Sequence, residues 1–337
     1  MKNLGPRVSI CVPVYNGAST ISQLLDSIET QTYSSFQVLI ADDASSDTTL
    51  EKVEPFLADP RFKLIQRPQN LGFRENLNEL IKSADGEFLV FPGQDDVLLK
   101  SFLERRLQLF TENSRIGVVH SRCRLINDTG NALNIVYWYW ERLADVMSGE
   151  NLVESLLTHD FICFPAAMVR RAAFESVEQE FFSQNFVYVP DWWLWLLLAA
   201  RGWTFGYLGE TDFCYRLHTR QLSQTLSSEL KTMEMSLVVA EFTRILDGQN
   251  FGQSLSEPRR KTIRHLAHAR LLRRGLGMLL RKASRRCGFR LVADAWQNDP
   301  VSVYYFPFYF SQYLLAKIIQ RHECAGMPEL FHSIGAR

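Results

Sequence analysis

The sequence predicts an α/β fold with a helical C-terminal extension, and two observations predict it. Over the first hundred residues, short apolar runs alternate with stretches in which apolar residues recur every three or four positions, as strands and helices do. Beyond residue 220 the pattern is helical. The composition, 46% hydrophobic and 22% charged, is typical of a folded globular chain and excludes disordered and collagen-like classes.

The first hundred residues predict four strands and three helices. The strands span 8–12, 36–41, 62–66 and 87–91, and the helices span 18–30, 48–57 and 75–83. Strands that alternate with short helices form a parallel sheet with helices on both faces. Ligands bind such sheets beyond the carboxyl ends of the strands, so we expect the chemistry just after residues 12, 41 and 91.

The regular alternation loosens after residue 97. Helices are predicted at 98–113, 149–157 and 191–201, and strands at 116–125, 164–169, 203–208 and 213–217. We therefore predict three parts, 1–97, 98–220 and a mainly helical, basic extension, 221–337.

No stretch of the sequence predicts a signal peptide or a membrane-spanning helix. The most apolar stretches, 192–200 and 304–319, are too short or too interrupted, since a spanning helix needs about 20 apolar residues. The six cysteines are widely spaced and form no C-x-x-C pair, which favours reduced thiols and a cytoplasmic protein.

Polar residues follow the first two predicted strands. Pro13, Tyr15 and Asn16 form a turn that offers a flat ring and an amide, although an ordinary strand-to-helix turn also explains them. Asp42 and Asp43 follow the second strand. Helix capping leaves Asp42 unexplained, and a carboxylate there can accept the imide N–H of a uracil or thymine ring; Asp43 can instead accept backbone amides of its own turn.

Two more carboxylates follow the fourth strand. Asp95 and Asp96 come directly after an apolar run, where they could hold Mg²⁺ or Mn²⁺ over a diphosphate, because these ions prefer oxygen ligands. Capping of the next helix by Asp96 is the structural alternative.

Three residues of the second half are further candidates. Asp191 opens a strongly apolar helix and is either a favourable helix N-terminus or a general base beside aromatic rings. Arg216 and His218, two positions apart on one face of a strand, could reach a phosphate or a metal, although such a pair is more often structural.

In their order and spacing, these features resemble the family-2 glycosyltransferases, which are inverting enzymes of the GT-A fold that use nucleotide-sugar donors. The resemblance covers about residues 6–220 and implies a GT-A-type, Rossmann-like mixed sheet whose halves, 1–97 and 98–220, bind the donor and the acceptor. It implies that Asp191 is the catalytic base. It also implies two ligand sets, a nucleotide-sugar site of Pro13, Tyr15, Asn16, Asp42, Asn70, Gly72, Arg74, Asp95 and Arg216, and a divalent-cation site of Asp95, Asp96 and His218.

The sequence departs from the family pattern at three positions. Gly93 stands where a further Asp commonly begins the metal motif, and Pro190 stands where Glu often precedes the base. Leu77 replaces the usual Arg of the third motif, and Arg74 can substitute for it only if the intervening turn is helical.

The expected reaction is transfer of a sugar from a UDP- or dTDP-sugar to a hydroxyl of a saccharide or lipid-linked acceptor, with inversion, in cell-surface polysaccharide synthesis. Two alternatives stay open. One is a sugar nucleotidyltransferase, although PVYNGAST lacks the basic, glycine-rich phosphate loop of that class. The other is a non-catalytic sugar-nucleotide-binding partner of an assembly complex, which Gly93 makes conceivable.

The segment 259–290 carries twelve Lys or Arg and no Asp or Glu, although the whole chain is neutral. With apolar residues interleaved, it predicts a basic amphipathic helix that either lies on an anionic membrane at the inner face or packs on the protein. The apolar positions are Ile263, Leu266, Leu271, Leu272, Leu276, Leu279 and Leu280. Nucleic acid is not expected as a partner, because no recognised module accompanies the charge.

Overall fold

The computed structural model describes residues 7–137, 146–158, 160–177, 186–218, 221, 226–246, 257–279, 285–299 and 301. The sequence also leads us to expect acceptor stacking on Tyr137–Trp140 and membrane anchoring by Tyr304–Tyr313, but residues 138–140 and 304–313 lie outside the described residues. The chain divides into two compact units, Met1–Gln224 and Thr225–Arg337.

The described part of the first unit contains one mixed sheet. Its strands are β1 (Val8–Val14), β2 (Phe36–Asp42), β3 (Phe62–Gln66), β4 (Phe88–Val90), β5 (Val97–Leu98), β6 (Ile116–Ile126), β7 (Ala132–Tyr137), β8 (Val146–Met147), β9 (Met168–Arg170) and β10 (Thr204–Arg216). The order is β3-β2-β1-β4-β9-β6-β10-β5, with β7 beside β6 and β8 beside β10. Strands β3, β2, β1 and β4 are parallel, whereas β9 runs antiparallel to β4 and β6.

Seven α-helices accompany the sheet in the residues described for this unit. They are α1 (Ile21–Glu29), α2 (Thr49–Val53), α3 (Phe73–Ser83), α4 (Phe102–Glu112), α5 (Gly149–Thr158), α6 (Arg171–Glu175) and α7 (Pro190–Ala200), with 3-10 turns at Glu54–Ala58 and Phe164–Ala166. In α1, the apolar residues of the predicted stripe are all buried against the sheet: Ile21, Leu24, Leu25 and Ile28. The alternation predicted for the first hundred residues is confirmed.

Two predictions for the second half need correction. The structure has one strand where two were predicted at 203–208 and 213–217, because β10 runs continuously from Thr204 to Arg216. The polar residues between the two predicted strands lie in β-bulges between Leu208 and Phe213. The predicted strand 164–169 is a 3-10 turn containing Pro165, followed by the three-residue β9. Proline lacks the N–H that a central strand donates, which explains the turn.

The described part of the second unit is helical, with α8 (Ser228–Leu246), α9 (Glu257–Leu279) and α10 (Arg285–Asn298). Helix α9 packs against both α8 and α10. The approach to α10 is close at Gly275, where an added Cβ would lie 2.8 Å from Val292 Cγ2 and 2.9 Å from the Gly288 oxygen. In the chain segments that the structure describes, no helix is sufficiently long and apolar to cross a membrane.

Candidate functional site

The sheet brings the turns that follow β1, β2 and β4 to one edge. Val14 pairs with Asp42 across the parallel strands, and Asp43 N donates to Val14 O at 2.9 Å. Gln94, from the turn after β4, holds the turn after β1, because it accepts from Tyr15 N at 2.8 Å and donates to Tyr15 O at 3.2 Å. No pattern in the sequence indicates this bridge, which joins residues 79 positions apart.

The two aspartates after β2 have different surroundings. Asp43 accepts from Leu71 N at 2.7 Å and Gly72 N at 2.8 Å, so it fixes the loop after β3 and not its own turn. Asp42 is buried, and its Oδ2 accepts from Ser45 N at 3.1 Å. Its Oδ1 is also buried and has no hydrogen-bond partner among the described residues. Because such an oxygen is costly to bury alone, it is a candidate ligand-binding atom.

The amides of the predicted donor site have partners inside the protein. Asn16 adopts a φ of 49° and accepts from Ser46 N at 2.9 Å, so it links the first two turns. Asn70 accepts from Gly72 N at 3.0 Å, where Gly72 has a φ of 84° that favours glycine. Both residues therefore shape the loops, and their contact with a donor stays a prediction.

The other predicted donor residues occupy different positions at this edge. Pro13 lies within β1 opposite Ala41, and Tyr15 is 47% exposed just beyond the strand end. Arg74 lies in the first turn of α3, the helical placement that its predicted role requires, whereas Leu77 is buried in the core.

The turn after β4 meets the end of β10 through four side chains. His218 Nε2 lies 2.6 Å from Asp95 Oδ2. Asp96 accepts from Gly93 N at 2.9 Å and Arg216 N at 3.3 Å. The structure thus brings Asp95 and Asp96 together with Arg216 and His218, although more than a hundred residues separate the two pairs in the sequence.

The guanidinium of Arg216 is buried within this junction. It donates to the backbone oxygens of Asp95, Asn127 and Asp128 at 2.7, 2.8 and 3.0 Å. It also donates to Gln23 Oε1 at 2.5 Å. Four of its five N–H groups therefore bind protein oxygens. Arg216 holds the Asp95–Asp96 turn, and its predicted contact with a diphosphate stays a prediction.

Gly93 is required by the geometry of the same turn. A Cβ at this position would lie 2.7 Å from Asp95 Oδ1 and 2.9 Å from Asp96 Oδ2. An aspartate at position 93, which is common in the resembled family, would collide with the two carboxylates in their present positions unless those side chains shifted. Gly93 therefore leaves room for both carboxylates as they stand.

The four groups differ in their ability to hold a cation. In the described chain no group of three or more His, Cys, Asp or Glu side chains is arranged as a metal site. Asp96 is 1% exposed, and burial and the neighbouring Asp95 raise its pKa well above the ordinary value. The Asp95 side chain is 16% exposed, and His218 keeps a buried Nδ1 without a partner in the described residues. Asp95 and His218 fit a cation that takes one or two carboxylates and completes its shell with phosphate and water.

Asp191 lies at the N-terminus of α7, whose apolar residues are buried from Trp192 to Ala200. This helix is fixed to α5 by Trp192 Nε1, which donates to Leu156 O at 2.8 Å. Burial raises the pKa of Asp191 to about 6, although backbone N–H groups at the helix N-terminus act in the opposite direction. Within the described residues, Asp191 makes no hydrogen bond to the Asp95–His218 cluster.

A buried ion pair joins α4 to β10, and no prediction from the sequence included it. Arg106 lies 2.6 Å from Asp212, and neither side chain is more than 3% exposed. Arg106 also donates to Ser121 Oγ at 2.6 Å and Ala166 O at 2.8 Å. A signal was present, because Arg106 falls on the apolar stripe of α4, where an unpaired charge would be costly.

Comparison with known proteins assigns this chain to a family. A family model described as Glycosyl transferase family 2 matches residues 9–177, half of the chain. A glycosyltransferase of Haemophilus influenzae without assigned function is 26% identical over 66% of this chain and 69% of its own. The Escherichia coli UDP-Glc:alpha-D-GlcNAc-diphosphoundecaprenol beta-1,3-glucosyltransferase WfgD is 35% identical over 36% of this chain and 47% of its own. The chain thus spans only about half the length of the latter relative.

Solved structures show a similar fold. Staphylococcus aureus TarS 1–349 in complex with UDP-GlcNAc has a TM-score of 0.66 at 18% identity, over 86% of this chain and 81% of its own. The Pyrobaculum calidifontis mannosyltransferase PcManGT, in complex with GDP-Man and Mn²⁺, has a TM-score of 0.53 at 18% identity, over 89% and 87%. The protein described here belongs to glycosyl transferase family 2 and has a GT-A-like fold.

Proposed function

We propose that this chain transfers a sugar from a UDP- or dTDP-sugar to a hydroxyl of a saccharide or lipid-linked saccharide, with inversion at the anomeric carbon. The observation that carries the proposal is the buried, unpartnered Oδ1 of Asp42 at the shared edge of the turns. The relative WfgD is named for a UDP-glucose donor and a lipid-linked acceptor, which supports both proposed substrate classes.

The nucleobase preference follows from the single free oxygen. Oδ2 of Asp42 already accepts from Ser45 N, so Oδ1 is left for one donor. Uracil and thymine present one imide N–H between two carbonyls, whereas cytosine presents a lone pair at the same ring position, which a carboxylate repels. Guanine presents two adjacent donors. A uracil or thymine nucleotide therefore fits best, with exposed Tyr15 available to stack on it.

The leaving diphosphate is placed near Asp95 and His218. A divalent cation, Mg²⁺ or Mn²⁺, held by Asp95 and His218, with Asp96 behind them, would stabilise the developing negative charge as a Lewis acid. Asp96 and Arg216 keep the turn that presents Asp95 in place through their backbone contacts. Asn70, Gly72 and Arg74 complete the proposed donor side.

Asp191 is the proposed catalytic base. The acceptor hydroxyl must lose its proton as it attacks, and a base works best when its pKa lies near the operating pH. Burial brings the pKa of Asp191 to about 6, closer to neutrality than an ordinary aspartate. The proposed mechanism uses one base and no enzyme nucleophile, so it is a single displacement and therefore inverts the anomeric carbon.

We propose cell-surface polysaccharide synthesis at the cytoplasmic face of a membrane as the setting. The Pasteurella multocida hyaluronan synthase, 29% identical over 48% of this chain and 16% of its own, supports the polysaccharide class. The second candidate function is a sugar-nucleotide-binding partner without catalysis. It is favoured by one observation, the commitment of both Asp96 oxygens to backbone N–H groups.

Thermal-shift titration with nucleoside diphosphates tests the donor. We expect UDP or dTDP to raise the melting temperature more than CDP, GDP or ADP, with a larger rise when Mn²⁺ is present. Asp42→Asn should abolish this selectivity, because it replaces the free acceptor with a donor amide, while the exposed Asp26→Asn should not. Equal shifts for all five nucleotides would contradict the proposal. Mn²⁺-dependent turnover of a UDP-sugar would then exclude the non-catalytic alternative.

A further inference from the structure

The second unit combines dense positive charge with a particular helix face. Residues 259–290 contain twelve Lys or Arg, and the acidic residues nearest to this segment are Glu257 before it and Asp294 after it. Helices α9 and α10 account for most of the segment. Such a block of one sign attracts a surface of the opposite sign.

Most of the described apolar residues that made the basic segment amphipathic in sequence are buried. On α9, Ile263 is 0%, Leu266 5% and Leu271 2% exposed, because this helix packs on α8 and α10, whereas Leu276 is 38% exposed. For the buried positions the structure favours the second alternative, packing on the protein. Their periodicity indicates an internal packing face.

Helix α10 presents a different apolar face to solvent. Phe289 is 67% exposed and Trp296 is 56% exposed, and they are seven residues apart, which is two turns on one side of the helix. Ala293 lies between them and is also exposed. An adjoining side of the helix is packed, since Gly288 meets Gly275 of α9 and Ala295 is buried. We call Phe289, Ala293 and Trp296 the aromatic face of α10.

We propose that the aromatic face of α10 inserts into the headgroup region of an anionic lipid surface, with the basic residues of 259–290 supplying the electrostatic attraction. Exposed Trp and Phe beside dense positive charge are the groups that bind such a boundary, because aromatic rings favour the interface and Lys and Arg attract acidic headgroups. A protein partner would bury the rings equally well. The charge favours the lipid, since each cation near an acidic membrane adds to binding.

This inference does not depend on the proposed function. Binding to lipid vesicles is measured without a donor or an acceptor, so a failure of the vesicle experiment leaves the transferase proposal untouched. Equally, loss of activity with intact vesicle binding would bear only on catalysis.

Co-sedimentation of the full chain with vesicles tests the inference. We expect binding to phosphatidylcholine vesicles that contain about 30% phosphatidylglycerol and none to pure phosphatidylcholine. Raising NaCl from 0.1 to 0.5 M should weaken it at least about fivefold. Phe289→Ser with Trp296→Ser should weaken it at least about tenfold, because two large rings no longer leave water.

The matched control changes two exposed apolar residues elsewhere in the same unit. Met233 and Leu237 lie on α8 and are 43% and 47% exposed. The variant Met233→Ser with Leu237→Ser should bind anionic vesicles like the original chain. Circular dichroism and the UDP-induced thermal shift should be unchanged in both double variants, which shows that each folds.

Three outcomes would overturn the inference. The first is no binding of the full chain to anionic vesicles. The second is equal binding by the α10 and α8 variants. The third is a dimer in solution that the α10 variant dissociates, which would assign the face to a second copy of the chain.

Discussion

The turn after β2 and the turn after β4 each carry two adjacent aspartates, and they use them in a similar way. In each pair the second aspartate accepts two backbone N–H groups, Asp43 from Leu71 and Gly72 and Asp96 from Gly93 and Arg216. The first aspartate keeps ligand-binding capacity. We therefore propose that in each pair the second aspartate holds the loops in place and the first faces the ligand.

The two turns differ in what surrounds the first aspartate. Asp42 is 2% exposed with a free buried oxygen, a setting suited to a neutral N–H donor that arrives with a base. The Asp95 side chain is 16% exposed and contacts His218, a setting suited to a hydrated cation. From this difference we propose that the first turn selects the nucleobase and that the second binds the cation and the diphosphate.

The largest expected effect comes from Asp95. Asp95→Asn should lower turnover at least about 10³-fold, because a Lewis acid contributes several kcal/mol to the transition state and this change removes its main carboxylate. Initial rates of sugar-nucleotide turnover at saturating Mn²⁺ measure the effect. A loss below tenfold would assign the cation to other groups and break the comparison between the two turns.

Asp191→Asn should lower turnover at least about 10²-fold, the lower end for removal of a general base. Donor binding should survive, since Asp191 makes no hydrogen bond to the described donor-side cluster. Single-turnover rates together with UDP titration separate the two steps. Near-normal turnover in a folded variant would remove Asp191 from the mechanism.

The positioning aspartate of the first turn should affect stability. In Asp43→Asn an amide N–H₂ replaces one acceptor of Leu71 N or Gly72 N, so we expect the free energy of unfolding to fall by about 1–3 kcal/mol. Urea denaturation measures it. Asp42→Asn is the matched control and should cost less than about 1 kcal/mol, because it keeps an oxygen for Ser45 N. Equal losses would mean that both aspartates are structural.

The smallest effect is on pH dependence. The pKa of Asp191 is raised to about 6 from 3.8 by burial, so kcat/KM should fall about tenfold per pH unit below pH 6 as the base is protonated. The stability contribution has the opposite sign. Above pH 4 an unfolded Asp191 loses its proton more readily than a folded one, so this residue destabilises the fold increasingly up to about pH 6.

Asp191→Asn checks the stability term. The variant should be more stable than the original chain at pH 8 by about 1–3 kcal/mol, and the gain should disappear below pH 4. Urea denaturation at the two pH values measures the difference. A variant that is less stable than the original chain at pH 8 would show that the Asp191 carboxylate stabilises the helix N-terminus and is not destabilised by burial.

Much of the fold was readable in the sequence, because β1, β2 and β4 are buried throughout and are mainly apolar. The edge where Asp42 and Asp95 lie followed from the parallel order of those strands. The sequence failed where long-range contacts decide the structure. The sequence separated Asp42 from Asp43 but not their partners, since Asp43 accepts from the distant loop at Leu71 and Gly72 and not from its own turn.

The same limit applies to the remaining residues. The engagement of Arg216 depends on Gln23 and on the turn at Asn127 and Asp128, which no spacing reveals. In α9 the helical periodicity was correct, but periodicity cannot tell a lipid-facing stripe from a buried one. The exposed rings of α10, by contrast, carry no conspicuous pattern in the sequence.

The central claim is that the first aspartate of each pair faces the ligand, and calorimetric titration of UDP in the presence of Mn²⁺ tests it most directly. We predict that Asp42→Asn and Asp95→Asn each weaken UDP binding at least about tenfold, whereas Asp43→Asn and Asp96→Asn in their folded fractions weaken it less than about threefold. The reverse pattern, or four equal losses, would contradict the division of work between the two turns.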